Sequence, residues 1–229
     1  MEEVMDEASK PGDDGDMEGS GTLSHDARLL WDAAFSLARE ARPVSARALP
    51  PLLFFTDPAR TPEPWRTAER LPRGAGIVYR HFGAADAEAT ALRLKAIAAE
   101  RGMVLLIGLD ADLAGRVAAD GVHLPEWALD QAKALRARRP DWILTGAAHS
   151  VEAALADENL DALVLSPIFP AGGASAGKRA LGIESLITVS ARRPVYALGG
   201  VGPTTIGALA SSGACGIAGV DAIRDAFTA

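Results

Sequence analysis

Eight short apolar runs, each four or five residues long, recur along the chain with segments of helical periodicity between them. They are Leu52–Phe55, Gly76–Arg80, Met103–Ile107, Gly121–Leu124, Ile143–Gly146, Ala162–Leu165, Val195–Leu198 and Cys215–Ala218. The runs are continuously apolar and do not alternate with polar residues, which is the pattern of parallel strands covered on both faces. Helical stretches such as Ala84–Ala99, Leu129–Arg138, Val151–Asp157 and Pro203–Ser211 fall between them. Eight β/α units suit closure into a ring better than an open doubly wound sheet, which uses fewer strands. The expected architecture is a single (β/α)8 TIM barrel over residues 51–229.

Two segments precede it. Residues 1–23 combine Gly, Asp, Glu and Ser with few large apolar side chains. Such a composition buries too little surface to offset the entropy of ordering, so this segment reads as a disordered acidic tail. Residues 24–42 carry Leu30, Ala34 and Ala38 at steps of four beside Trp31 and Phe35, the stripe of an added N-terminal helix that ends before Pro43. The formal net charge of −7 comes from the tail: residues 1–26 hold nine acidic side chains and Lys10, leaving 22 basic against 21 acidic residues in 27–229.

That near-neutral body excludes a broad nucleic-acid footprint, which needs clustered Lys and Arg, and points to a small-molecule partner. The sole cysteine, Cys215, offers no internal disulfide, and no apolar stretch is long enough for a signal peptide or a membrane span. A cytoplasmic barrel, compatible with homo-oligomer formation, is expected.

In such a barrel the residues that follow each strand face the catalytic rim. Arg80 and Lys178 are long cations that could grip phosphoryl or carboxylate groups. Arg80 has a simpler alternative as an ion pair with Asp57 or Asp110, and Lys178 one as a solvated loop residue. Gly199 and Gly200 follow the seventh run and Gly219 the eighth, where backbone N–H groups commonly hold phosphate; the alternative is a tight turn at positive φ. His149, after the fifth run, is the candidate acid/base, set against a hydrogen-bonded histidine beside Ser150. His123 reads as a structural residue between strand and helix, and His81 as facing solvent. No pair of histidines has helical metal-ligand spacing.

The run Gly121-Val122-His123-Leu124, then Ser166-Pro167-Ile168-Phe169-Pro170, Tyr196-Ala197-Leu198-Gly199-Gly200-Val201 and Ala214-Cys215-Gly216-Ile217-Ala218, resembles in order and spacing the thiamine phosphate synthase and thiazole tautomerase family. The resemblance covers residues 51–226. It implies a barrel of thiamine biosynthesis that either joins a pyrimidine diphosphate to a thiazole phosphate with Mg²⁺, or rearranges the thiazole phosphate by proton transfer. The family's Gln-x-Arg-x-Lys after strand two is here Val78-Tyr79-Arg80-His81-Phe82, which keeps the arginine alone. Its Asn-Asp pair after strand three meets Gly108-Leu109-Asp110, and its aspartate after the strand-four histidine meets Ala128. Only Asp110 or Glu126 could replace those Mg²⁺ ligands, and Asp221 stands where the family has a phosphate-facing serine. The histidine position of the tautomerases is kept as His149. The resemblance thus implies tautomerase-like proton transfer without a required cofactor. The alternatives are a Mg²⁺-dependent synthase and a barrel that binds a ligand without catalysis.

Overall fold

A computed structural model describes residues 23–41, 45, 47–156, 159–173 and 177–228 of the 229-residue chain. The acidic tail read from residues 1–23 lies outside the described residues except for Leu23, which packs on the core and belongs with the helix that follows.

The strands are β1 (Leu52–Phe55), β2 (Gly76–Tyr79), β3 (Val104–Gly108), β4 (Gly121–Leu124), β5 (Ile143–Ala148), β6 (Ala162–Leu165), β7 (Val195–Ala197) and β8 (Gly216–Gly219). Each pairs in parallel with its neighbours in sequence, and β8 closes onto β1 with Leu53 opposite Ala218. The helices are α1 (His25–Glu40), α2 (Pro64–Ala68), α3 (Ala87–Glu100), α4 (Ala111–Arg116), α5 (Ala132–Arg138), α6 (Val151–Ala156), α7 (Gly182–Ser190) and α8 (Asp221–Thr228). This is the expected (β/α)8 barrel with an added N-terminal helix. Among the described residues no helix is long and apolar enough to cross a membrane.

The continuous apolar runs resolve into two cores because successive side chains on a strand point to opposite faces. Leu52, Phe54, Ile77, Leu105 and Leu144 pack outward under the helices. Leu53, Phe55, Val78, Leu106, Val164 and Tyr196 fill the barrel. At the base Tyr196 is fully buried and donates to the Pro50 carbonyl at 2.6 Å. Two carboxylates brace the same end. Asp120, just before β4, accepts from the Leu105 amide of β3 at 2.8 Å, and Asp161, just before β6, accepts from the Leu144 amide of β5 at 2.8 Å.

Two helical expectations are corrected. Leu129–Arg138 is a 3₁₀ segment over Glu126–Gln131 followed by α5; the segment opens at Pro125, whose carbonyl accepts from the Ala128 amide three residues on at 2.9 Å. Within Pro203–Ser211 only Ile206–Leu209 is helical, and it is 3₁₀. Thr205 breaks that segment: its hydroxyl accepts from the Gly202 amide at 3.0 Å and donates to the Gly200 carbonyl at 2.7 Å, competing with helical hydrogen bonds.

The outer layer therefore lacks a full helix between β7 and β8, and α1 packs there against β1, β8, the 3₁₀ segment and α8. Ser24 caps α1 by accepting from the Ala27 amide at 3.1 Å, and its hydroxyl donates to the Ala226 carbonyl of α8 at 2.8 Å. The buried stripe is Ala27, Leu30, Ala34 and Leu37, one position from the expected Ala38, while Phe35 is exposed and Trp31 half-buried. Leu30→Ala is expected to cost about 3 kcal/mol by opening a cavity under α1. Phe35→Ala should change stability by less than about 0.5 kcal/mol. Chemical unfolding of both variants measures the difference.

Candidate functional site

The inward parity that builds the core also builds a cavity of about 950 Å³ at the carboxyl ends of the strands. Arg80 continues the inward set of Val78, His123 the set of Gly121, and Ala147 the set of Thr145. The floor holds Phe55, His123, Val164 and Leu198, and the wall holds Arg80, Gly108, His149, Ser166 and Lys178.

Arg80 is fixed before any ligand arrives. Its backbone N–H donates to Thr56 Oγ1 at 2.9 Å and its Nε donates to the Thr56 carbonyl at 2.8 Å. The guanidinium lies 5.4 Å from the ring centroids of both Phe55 and Phe82, within reach of the attraction between a cation and an aromatic face. Burial lowers its pKa, Asp57 opposes that shift, and Arg60 adds to it. Asp57 is 3.9 Å away, a distant partner, and Asp110 pairs with His81 instead. Among the described residues neither Nη group of Arg80 donates a hydrogen bond. Gly108 makes room for the side chain: a Cβ there would lie 3.0 Å from Arg80 Cγ.

His123 does not sit between strand and helix. As an inward residue of β4 it is buried on the cavity floor, edge-on to Phe55 at 4.9 Å, with Nδ1 3.0 Å from Thr145 Oγ1 on β5. Burial, then the nearby Arg80, push its pKa down to about 3, so the imidazole is neutral at physiological pH. His81 does not face solvent: its Nδ1 accepts from the Gly83 amide at 3.0 Å, and its Nε2 points to Asp110 Oδ2 at 3.4 Å.

His149 lies at the rim. Its Nδ1 is 2.9 Å from the Ser166 carbonyl and 3.2 Å from Ser166 Oγ, and its backbone N–H donates to Glu126 Oε2. Ser150 caps α6 by accepting from the Ala153 amide at 3.0 Å. Lys178 reaches the cavity as well.

Gly199, Gly200 and Gly219 do not line the cavity. Gly199 and Gly200 have φ of 87° and 66°, and a Cβ on them would lie 2.7 Å from Pro167 Cα and 2.5 Å from the Pro170 carbonyl. Their geometry is that of the tight turn, pressed under the segment that follows β6. Gly219 faces outward, where a Cβ would meet Ile223 of α8 at 3.2 Å.

Three apolar side chains crown the mouth: Phe82 is 69% exposed, Trp127 74% and Leu109 37%. Phe82 and Leu109 also hold left-handed φ of 48° and 66°, which is costly for side chains of this kind. Sequence reasoning assigned none of the three a contact with ligand, although each lies within three residues of a strand end.

Where the resemblance places Mg²⁺ ligands, the cavity offers the carboxylates of Asp110 and Glu126. Leu109 and Ala128 supply no oxygen, Asp110 caps α4 by accepting from the Leu113 amide at 2.8 Å, and Glu126 is engaged by His149. Among the described residues no three His, Cys, Asp or Glu side chains gather closely enough to hold a metal ion.

A closed parallel barrel with cationic and imidazole groups around a cavity at its carboxyl face defines the class of (β/α)8 barrels with a ligand site at the catalytic end. The sequence description of thiamine monophosphate synthase matches residues 55–223, and the chain belongs to that family. It is 35% identical over 136 residues to the thiamine-phosphate synthase of Desulfitobacterium hafniense (strain Y51), covering 58% of this chain and 66% of the relative. It is 35% identical over 181 residues to the putative thiamine-phosphate synthase 2 of Aquifex aeolicus, covering 75% of this chain and 96% of that one. Among solved structures it is similar to thiamine phosphate pyrophosphorylase from Pyrococcus furiosus, with a TM-score of 0.63, 26% identity, and coverage of 77% and 91%.

The buried histidine gives a pH prediction. Because burial holds the folded-state pKa near 3 against 6.5, the unfolded chain binds the extra proton between those values. Stability contributed here is full above about pH 6.5 and falls as pH drops through that window. Relative to His123→Gln, the wild type should lose about 3 kcal/mol between pH 7 and pH 4, measured by unfolding of both proteins across that range.

Proposed function

We propose that the cavity binds a thiazole phosphate, within thiamine biosynthesis, and that His149 moves a proton on its ring as a tautomerase does. The observation that carries this reading is the contact of His149 Nδ1 with the Ser166 carbonyl. A carbonyl only accepts, so Nδ1 keeps its proton and the lone pair resides on Nε2. An imidazole held in that tautomer takes a proton as a general base and returns it as a general acid. One C–H bond breaks and another forms, substrate and product are isomers, and no co-reactant or metal enters the balance.

The surrounding residues suit such a ligand. Arg80 is a fixed cation whose Nη groups have no partner closer than Asp57 at 3.9 Å among the described residues, and Lys178 adds a second positive charge at the rim. Phe82, Leu109 and Trp127 offer apolar surface to a flat ring. The neutral His123 adds no charge to the floor that would compete for the anion.

The names of the relatives favour a second reading, a Mg²⁺-dependent thiamine-phosphate synthase that joins a pyrimidine diphosphate to the thiazole phosphate. Against it stand Leu109 and Ala128, and the prior engagement of Asp110 and Glu126. The two are separated by assaying thiazole phosphate isomerisation and pyrimidine diphosphate coupling in parallel, each with and without EDTA. Isomerisation is expected to persist in EDTA. His149→Asn should slow it by roughly 10²–10⁴, with a melting temperature within a few degrees of wild type. Coupling that EDTA abolishes, without isomerisation, would establish the synthase instead, and binding without either turnover would leave a ligand-binding barrel.

A further inference from the structure

Asp221 opens α8 directly behind β8, at the end of the barrel where phosphate groups are commonly held after the seventh and eighth strands. The start of a helix carries the positive end of its dipole and favours an anion. In this chain the anion is already there. The Asp221 carboxylate accepts from Arg60 Nε at 3.0 and 3.2 Å and from Arg60 Nη2, and pairs with Arg224 Nη1 at 2.9 Å. Arg224 Nη1 also donates to the Arg60 carbonyl, which ties the β1–α2 loop to α8. Arg60 extends over the segment that follows β6, where a Cβ on Gly173 would lie 2.7 Å from its Nη1.

Arg60 thus meets the carboxylate in the forked geometry it would offer a phosphate, and Arg224, whose Nη2 and Nε are held by Asp225, adds a single donor. A ligand anion approaching this pole meets a like charge and finds the best donors taken. Neither Asp221 nor its two partners lines the 950 Å³ cavity, whereas Arg80 does.

We propose that Asp221 is a built-in anion that closes the pole after β8, so that the ligand's own anionic group is read by Arg80 on the cavity wall. This deepens the binding half of the reading above and rests on that half, a thiazole phosphate bound in the cavity, and not on turnover. It makes Asp221 a determinant of where, and in which orientation, a phosphorylated ring enters the barrel.

Calorimetric titration with thiazole phosphate and with inorganic phosphate, on wild type, Asp221→Ser, Arg60→Met and Arg80→Met, tests it. Arg80→Met is expected to weaken thiazole phosphate binding about tenfold or more, and Arg60→Met to leave it within about twofold. Asp221→Ser, which frees the Arg60 guanidinium and leaves Arg224 paired with Asp225 at 2.7 Å, is expected to bind inorganic phosphate about tenfold more tightly than wild type. The proposal is overturned if Arg60→Met loses thiazole phosphate binding while Arg80→Met keeps it, if Asp221→Ser gains nothing, or if wild type binds no thiazole phosphate. Should Asp221→Ser fail to fold, the comparison of Arg60→Met with Arg80→Met decides. Turnover is no part of the readout, so a barrel that binds as described without isomerising its ligand would sink the tautomerase reading and leave this one standing.

Discussion

The parallel ladder that joins β8 to β1 is the constraint on which the rest of the protein depends. With it, no strand presents an unpaired edge, and every inward side chain is surrounded by others. Closure also fixes register: Asp120 and Asp161 lock the amides of Leu105 and Leu144 at the base. Given that register, the inward positions nearest the carboxyl ends become Phe55, Arg80, His123, Ala147 and Leu198, and the cavity follows. The site is therefore a product of strand alternation; loops supply its crown.

The cavity separates charge that must be free from charge that must be satisfied. Asp57 caps its own turn by accepting from the Ala59 and Arg60 amides, Asp110 caps α4 and holds His81, and Asp221 holds two arginines. Each carboxylate near the mouth accepts hydrogen bonds within the protein, while Arg80 has only the distant Asp57, 3.9 Å from Nη2, and His123 is uncharged. Such a field favours an anion at Arg80.

Much of the fold was legible because a run such as Leu52–Phe55 has only one environment, buried on both faces, that suits four consecutive apolar residues. The eight strands were found within a few residues of their ends for that reason. The 3₁₀ segments were not legible, since Thr205 diverts backbone hydrogen bonds through a hydroxyl that periodicity does not register. The site was read in part. Arg80, His149 and Lys178 do come to the cavity, because they follow strands directly. His123 was misplaced because strand parity was not carried through to it: the same alternation that sends Val122 outward sends His123 in. Whether a glycine serves an anion or a close packing contact depends on what lies across from it, and Pro167 and Pro170 are more than 25 residues from Gly199 and Gly200 in sequence.

The clasp between Ser24 and Ala226 joins residues 202 apart in the chain. Because α1 fills the place left by the abbreviated connection between β7 and β8, its seat against β1 is complete only when β8 and α8 are in place. Such long-range contacts are entropically slow to form. The apolar face of Leu30 and Leu37 is thus fully covered only where segments far apart in sequence have met, which makes the seating of α1 a report on closure of the barrel.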